Sequence, residues 1–203
     1  GMTTLDTFHA RQLDQALALH SDDKIDDAIT IYDTILASYY DHAPTLHAKG
    51  IALAQLAKYQ EAQVILEQAC DLEPDNATYL ASLANAIRHQ GQVDKALRLF
   101  KQSLAIYPSI ATCINLGVLL YTQKDYTQAQ RYYEQALTLQ PKSVTAMFNL
   151  ALCLLQNNKL LHAKNCLEKA VSLDAKHLAA WSQLGKLYMA EKAYRLAKNC
   201  YDH

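Results

Sequence analysis

Histidine and cysteine are the residues of this 203-residue chain whose chemistry most suits catalysis or metal binding. The eight histidines are scattered, and no H-x-x-x-H or H-E-x-x-H pattern places two of them on one helical face for a zinc ion. His42 and His47 are near in sequence and follow Asp41, but they flank Pro44 at a spacing that is poor for metal ligands. We therefore predict histidines on the surface or in a groove, and no metal site.

The five cysteines show no C-x-x-C pair and no other spacing pattern. An odd number of unpatterned cysteines favours free thiols in a reducing compartment. No base stands beside Cys113, Cys153 or Cys200 to activate a thiol nucleophile, and no glycine-rich phosphate loop is present. No stretch approaches the ~18 apolar residues of a membrane span. The sequence thus predicts a cytoplasmic protein that is not an enzyme and needs no cofactor.

The rest of the chain is organised by an internal repeat with a regular period. Leu116–Gly117 recurs as Leu150–Ala151, and then again at the same interval as Leu184–Gly185. A fixed period within the range of 20–50 positions is the signature of a solenoid or a related repeat architecture. Each unit holds two stretches of helical periodicity that are separated by a short polar break. For one unit we predict helices over Ile110–Thr122 and Tyr126–Leu139, with residues 123–125 between them.

Small residues recur in the middle of each first helix, where glycine costs about 1 kcal/mol relative to alanine. These positions are Gly50, Ala84, Gly117, Ala151 and Gly185. The cost is tolerable if a neighbouring helix must approach closely, and we expect the alanines of the second helix to be the matching surface. Large residues would then fill the space between successive pairs, namely Leu66, Phe100, Tyr133, Leu167 and Tyr201.

This combination of small and large positions resembles the tetratricopeptide repeat, over roughly residues 9 to 203. The last unit carries the family's residue types at Trp181, Leu184, Gly185, Tyr188, Ala197 and Tyr201. The resemblance implies an all-α fold, a right-handed α-α superhelical solenoid of helix-turn-helix repeats. The sequence departs from the pattern at Ala175, which replaces a proline, and at Ser103, which replaces an alanine. The unit 77–109 is also one residue short.

One solenoid domain is predicted over residues 9–203, after an N-terminal tail of residues 1–8 in which Gly1 is read as a tag remnant. The repeat units are 9–42, 43–76, 77–109, 110–143, 144–177 and an incomplete 178–203. In the last unit we expect a second helix carrying Leu196, Ala197, Cys200 and Tyr201. Because this helix would be uncovered, either the sequence is truncated after His203 or this end is buried against a partner, and we favour truncation.

Charge is divided unevenly along the chain, although the net charge is −1. Residues 1–75 hold 13 acidic and 4 basic residues, a net −9, whereas residues 76–203 hold 7 and 15, a net +8. Solvated helix faces would account for this division. The alternative is self-association through oppositely charged ends. The near-neutral total and the lack of a recognisable motif argue against nucleic acid.

In proteins that this chain resembles, the first helices of successive units line a concave groove. We predict a peptide-binding groove with an apolar middle and polar flanks, as exposed apolar patches often bind peptides. Its residues are Asn85, Arg88, Ile114, Val118, Tyr121, Phe148, Leu152 and Lys186. The alternative is that a tight superhelix buries the apolar members against each other.

Two binding modes of the family can be compared with these positions. Relatives that capture chaperone tails use a lysine and an asparagine one turn apart, but His47 and Ile51, or Ala81 and Asn85, stand there. We therefore expect no capture of chaperone tails. Sugar-transferase relatives use an asparagine ladder that binds substrate backbone, since an amide both donates and accepts. Asn115 and Asn149 match that ladder and Gln183 continues it, although asparagine at these places also serves helix packing.

Two functions remain open. The first is a non-catalytic scaffold or adaptor that binds a peptide or protein segment in the groove. The second is a substrate-presenting or regulatory part of a larger enzyme or assembly factor that continues beyond His203. Both predict a protein or peptide partner, and neither predicts nucleic acid or a membrane.

Overall fold

The computed structural model describes residues 3–201, and within this range the chain is entirely α-helical, with no strand. Asp6 caps the N-terminus of the first helix, and ten further helices follow it along the described part of the chain. In chain order they are α1 Thr7–Ser21, α2 Ile25–Ser38, α3 Ala43–Gln55, α4 Tyr59–Leu72, α5 Ala77–Arg88, α6 Val93–Ile106, α7 Ile110–Thr122, α8 Tyr126–Leu139, α9 Val144–Gln156, α10 Leu160–Leu173 and α11 Leu178–Tyr201. The helix bounds predicted for residues 110–139 are confirmed.

The chain divides after Pro108 into two compact units. In the first unit, each helix from α1 to α6 packs against the next helix in the chain, and α3 also contacts α1 and α5. In the second unit, α7 to α11 pack in the same consecutive manner, and α7 also contacts α9. This nearest-neighbour packing is the pattern of a repeat protein. A single continuous solenoid over residues 9–203 stays a prediction.

Each helical hairpin turns through one residue with a left-handed backbone. The φ angles are 63° at Asp23, 59° at Ala57, 82° at Gly91, 63° at Lys124 and 58° at Asn158. A left-handed conformation ends an α-helix and redirects the chain, and residues other than glycine adopt it at a cost of about 1–2 kcal/mol. The polar break predicted between the two helices of a unit therefore corresponds to a recurrent turn of fixed geometry.

The first helix of most units begins at a side-chain cap. Asp6, Asn76, Ser109 and Ser143 each accept a hydrogen bond from the backbone N–H three residues later, at 2.8, 3.0, 3.1 and 3.2 Å. Such a cap satisfies one of the free N–H groups of a helix start and contributes about 1 kcal/mol. The caps explain why these helices begin where the repeat pattern places them.

The mid-helix glycines contact a different partner from the one expected. A Cβ atom on Gly117 would lie 2.6 Å from Cε1 of Tyr133, and one on Gly50 would overlap Leu66. Leu66 and Tyr133 are almost fully buried. The large side chain of the same hairpin, and not an alanine, provides the atoms nearest to each of these two glycines. Glycine is required there because the large residue reaches the backbone of the first helix.

The two departures within residues 77–109 have simple structural counterparts. Ser103 is buried, and its Oγ donates to the carbonyl oxygen of Ala77 at 2.7 Å, so the hydroxyl that replaces a methyl group is satisfied. The missing residue lies in the connection 107–109 after α6, since the corresponding connections 73–76, 140–143 and 174–177 are each longer by one position. The shortened connection coincides with the boundary between the two units.

The last unit does not form the hairpin that was predicted. α11 continues as one helix of 24 residues through positions 191–193, where earlier units turn. Lys192 stands in the position of Lys124 and Asn158, but its neighbours Ala190, Glu191 and Ala193 are strong helix formers. Nothing lies within 4 Å of a Cβ built on Gly185, so no second helix covers it in this range. The separate second helix expected around residues 196–201 is therefore absent.

Candidate peptide-binding surfaces

The apolar residues predicted for the groove lie on α7 and on α9. These two helices contact each other within the second unit. Ile114, Val118 and Tyr121 follow a helical spacing on α7, as Phe148 and Leu152 do on α9. All five are half-buried. They are thus less exposed than a free apolar patch, but none is sealed in the core. The structure leaves each a partly accessible surface.

Aromatic contacts hold the two ends of this surface. The ring of Tyr121 packs edge-on against Tyr126 at 5.1 Å between centroids. Nε2 of Gln156 donates to the hydroxyl of Tyr121 at 3.5 Å. Phe148 packs against His177 at 4.8 Å and also contacts the buried cluster around Met147. Tyr126 and His177 were not among the predicted site residues. Both stand at helix starts, where periodicity does not indicate what a side chain contacts.

The amides of the proposed ladder lie beside the apolar residues. Asn115 on α7 and Asn149 on α9 are half-buried, and no side-chain hydrogen bond joins either to another residue in the described range. Gln183 is half-buried on α11, and Lys186 is exposed there. The free amides can both donate to and accept from a peptide backbone.

In the first unit, the predicted groove residues Asn85 and Arg88 form one polar group on α5. Nη2 of Arg88 donates to Oδ1 of Asn85 at 2.8 Å and to Nε2 of His89 at 3.2 Å. His89 stacks on Tyr59 with centroids 4.5 Å apart and an interplanar angle of 10°. Burial lowers the pKa of Arg88, and both burial and the charge of Arg88 lower the pKa of His89. The guanidinium is therefore held in place by neutral partners.

Arg88 is incompletely satisfied. Its Nε is shielded from solvent and has no hydrogen-bond partner, and none of the ion pairs formed by described residues includes Arg88. A half-buried cation without a carboxylate is costly unless a ligand supplies one.

His47 lies on α3 of the same unit, where it contacts a hydroxyl group and an aromatic ring. Nε2 of His47 is 2.8 Å from Oγ of Ser82, and the imidazole packs on Tyr79 at 4.6 Å between centroids. Burial lowers the pKa of His47 to about 4. The imidazole is consequently neutral near pH 7. Sequence reasoning missed the contact with Ser82 because the two residues are distant in sequence and lie on different helices.

The cysteines and acidic residues give no catalytic or metal-binding arrangement in the part of the chain that the structure describes. Residues 3–200 contain no group of three or more His, Cys, Asp or Glu side chains that could hold a metal ion. Cys70, Cys113 and Cys153 are buried, and burial raises the pKa of Cys70 to about 11 and that of Cys153 to about 12. Protonated thiols of this kind are poor nucleophiles.

Known sequences identify the family. The chain matches the tetratricopeptide repeat over residues 43–76, 75–142 and 109–176, which together cover most of it. The chain belongs to the tetratricopeptide repeat family. The predicted family and fold class are thereby confirmed. Tetratricopeptide repeats are scaffolds for protein–protein interaction, so the class of partner predicted from the sequence is supported at this general level.

Among curated relatives, this tetratricopeptide repeat chain is 35% identical to human superkiller complex protein 3 over 118 residues, which is 54% of the chain and 7% of the relative. It is 31% identical to the mouse protein O-mannosyl-transferase TMTC1 over 83 residues, 38% of the chain and 9% of the relative. The chain thus spans less than a tenth of the length of either protein.

Among solved structures, the tetratricopeptide repeat protein YrrB superposes with a TM-score of 0.68 at 18% identity, covering 85% of this chain and 89% of YrrB. That structure is described as having an unusual peptide-binding site. At this identity the likeness shows the fold alone. Within residues 3–201, no helix of the present chain is both long enough and apolar enough to cross a membrane.

Proposed function

We propose that this chain is a non-catalytic interaction scaffold that binds a peptide or protein segment along the first helices of its repeats. The observation that carries the proposal is the surface of α7 and α9, where half-buried apolar residues lie beside amides that have no side-chain partner. Apolar side chains of a peptide would pack on Val118 and Leu152, and its backbone would bond to Asn115 and Asn149.

The first unit contributes a polar surface of its own. Arg88 is oriented by Asn85 and His89 but lacks a carboxylate. An acidic side chain of the peptide would offset the cost of this buried charge, and arginine is well suited to a carboxylate because its N–H groups form a fork. We therefore expect peptides that bind at this surface of α5 to carry an aspartate or glutamate.

The proposal is tested by selecting binders from a phage-displayed peptide library on the purified chain, and by measuring the affinity of the selected peptides. Phe148→Glu and Leu152→Arg place a charge on the apolar surface and should weaken binding at least about thirtyfold, the effect of losing a binding hot spot. Leu161→Glu is the matched control, because Leu161 is an exposed residue of α10 in the same unit. Circular dichroism checks that each variant stays helical.

Equal affinity of the selected peptides for Phe148→Glu and for the parent chain would exclude the α7–α9 surface. If the charged variants do not fold, Leu152→Ala is the milder substitution, and it should weaken binding about tenfold. Arg88→Met should weaken only those peptides that carry an acidic residue. Equal loss for neutral and acidic peptides would exclude Arg88 as a carboxylate receptor.

The second candidate is that this chain is the substrate-presenting or regulatory part of a larger enzyme or assembly factor. The observation that favours it is the length of the relatives, one of which is named as a transferase. Binding of the selected peptides by a longer natural form, with a change in its catalytic rate, would favour this candidate over an adaptor.

A further inference from the structure

The first unit contains a cavity of about 670 Å³ that is separate from the residues of the proposed groove. It lies among the segment before α1, the first turns of α1 and α3, and the end of α4. Its volume is within the range of about 300–1,000 Å³ that is typical of small-ligand sites.

One part of the cavity lining is apolar. Leu5 precedes α1, Leu13 lies on α1, Pro44 is in the first turn of α3 and Leu72 ends α4. These side chains come from four separate segments, so the apolar lining exists only in the folded unit. It would accommodate an aliphatic chain.

The charged part of the lining is entirely acidic. Asp14, Asp41 and Glu73 face the cavity, and no lysine or arginine is among the residues that line it. No basic side chain in the described range lies within 4.0 Å of these three carboxylates. Among the described residues these carboxylates belong to no group of three acidic, histidine or cysteine side chains that could hold a metal ion, so they do not converge on one point.

A buried histidine provides the second observation that indicates a ligand. His42 lines the cavity and is only 9% exposed. Its Nδ1 is 2.7 Å from Oγ1 of Thr45, whereas Nε2 has no partner among the described residues. Burial lowers the pKa of His42, so the imidazole is neutral and does not repel a cation. One ring nitrogen of this lining side chain is therefore free for a further hydrogen bond.

We propose that this cavity binds an ammonium or guanidinium group carried on an aliphatic stem, the chemistry shared by lysine and arginine side chains of a protein partner and by free aliphatic amines. The stem packs on Leu13 and Leu72, and the cation pairs with a carboxylate of the lining, Asp14, Asp41 or Glu73. Charge-assisted hydrogen bonds of this kind are the strong ones, and they are stronger in a partly desolvated site. The first unit would therefore hold a site for basic ligands that does not depend on the groove.

The experiment titrates the ¹⁵N-labelled full chain with agmatine, with guanidinium chloride and with a capped lysine-containing peptide, and follows amide chemical shifts. We expect shifts at residues 13, 42 and 73, and affinity for agmatine at least about tenfold above that for guanidinium, which has no stem. Peptide binding tighter than that of agmatine assigns the site to a protein partner, and the reverse order assigns it to a free amine. Either order of these two affinities supports the proposal that the cavity is a binding site.

The double variant Asp14→Asn/Glu73→Gln should weaken agmatine binding at least tenfold. Asp26→Asn/Asp27→Asn is the matched control, since it removes the same charge from exposed residues of α2 that do not line the cavity. Equal weakening in both double variants would show a general charge effect and overturn the proposal, as would the absence of shifts at millimolar ligand. Phe148→Glu should leave agmatine binding unchanged, so failure of this site is distinguishable from failure of the groove.

Discussion

Two segments that occupy the same register in successive repeat units fold differently. At residues 157–159 the chain leaves α9, turns through Asn158 with φ 58° and begins α10. At residues 191–193 the same register remains helical, and α11 continues to Tyr201. Because lysine stands both at Lys124, which turns, and at Lys192, which does not, the difference teaches that the hairpin depends on the residues beside the turn and on a second helix that covers the first.

The packing on either side of the turn supports this reading. In the complete hairpin α7–α8, Tyr133 occupies the space over Gly117, whereas Gly185 on α11 faces open space. Apolar residues of α11 are correspondingly exposed, with Met189 at 74% and Tyr194 at 69%. Without that contact, the strong helix propensity of residues 190–193 decides the local conformation.

The largest effect is expected at Gly117. Gly117→Ala would place a Cβ atom 2.6 Å from the ring of Tyr133, which is almost fully buried and cannot move aside freely. The free energy of unfolding of the second unit should fall by about 2–3 kcal/mol, as for other overpacked cores. Native-state hydrogen exchange of the backbone amides in α7 and α8 measures this fall in the free energy of unfolding. Unchanged protection would mean that the glycine is not needed for this contact.

The same substitution on α11 should have the opposite sign. Gly185→Ala meets no neighbouring atom, so only the helix propensity changes, and α11 should be stabilised by about 1 kcal/mol. Slower amide exchange around residue 185 is the expected result. A loss of stability would indicate that a second helix covers Gly185 in solution, and that the two segments do not differ as described.

A smaller effect is expected at the position of the missing turn. Lys192→Gly should destabilise the straight helix by about 0.7 kcal/mol, because glycine is a poorer helix former than lysine. Asn158→Gly, in a turn that already has a left-handed backbone, should not lower stability. Amide hydrogen-exchange rates in α11 and α10 measure the effects of Lys192→Gly and Asn158→Gly, respectively. If Lys192→Gly slows exchange in residues 194–200, the chain favours a hairpin there.

The sequence alone predicts the two helices of the unit 110–143 at the bounds that the structure shows, because these bounds depend on local patterns. The apolar period and the polar break indicate the same limits that the capping residues Ser109 and Ser143 show in the structure. The second helix of the last unit was predicted wrongly because the repeat pattern of Ala197 and Tyr201 persists where the turn does not. The repeat pattern predicts which helix a segment could pack against, but it does not show whether that helix forms.

The candidate sites were harder to predict from the sequence than the helices. The helical register groups Ile114 with Val118 and Phe148 with Leu152, but their half-buried state depends on how α7 and α9 approach each other. The pairing of Arg88 with Asn85 follows from their spacing on one helix. By contrast, the cavity beside His42 involves four distant segments, and no single stretch of sequence indicates it.

The recurrent left-handed turn offers regularly spaced attachment points. Asp23, Ala57, Gly91, Lys124 and Asn158 differ in chemistry, yet all are exposed and share one backbone conformation. Their side chains therefore take no part in either core. A cysteine introduced at Ala57 or Lys124, in a background in which Cys200 is replaced, would carry a fluorophore or a tether without disturbing the helices. Each unit thus has ready positions for labelling or for surface immobilisation.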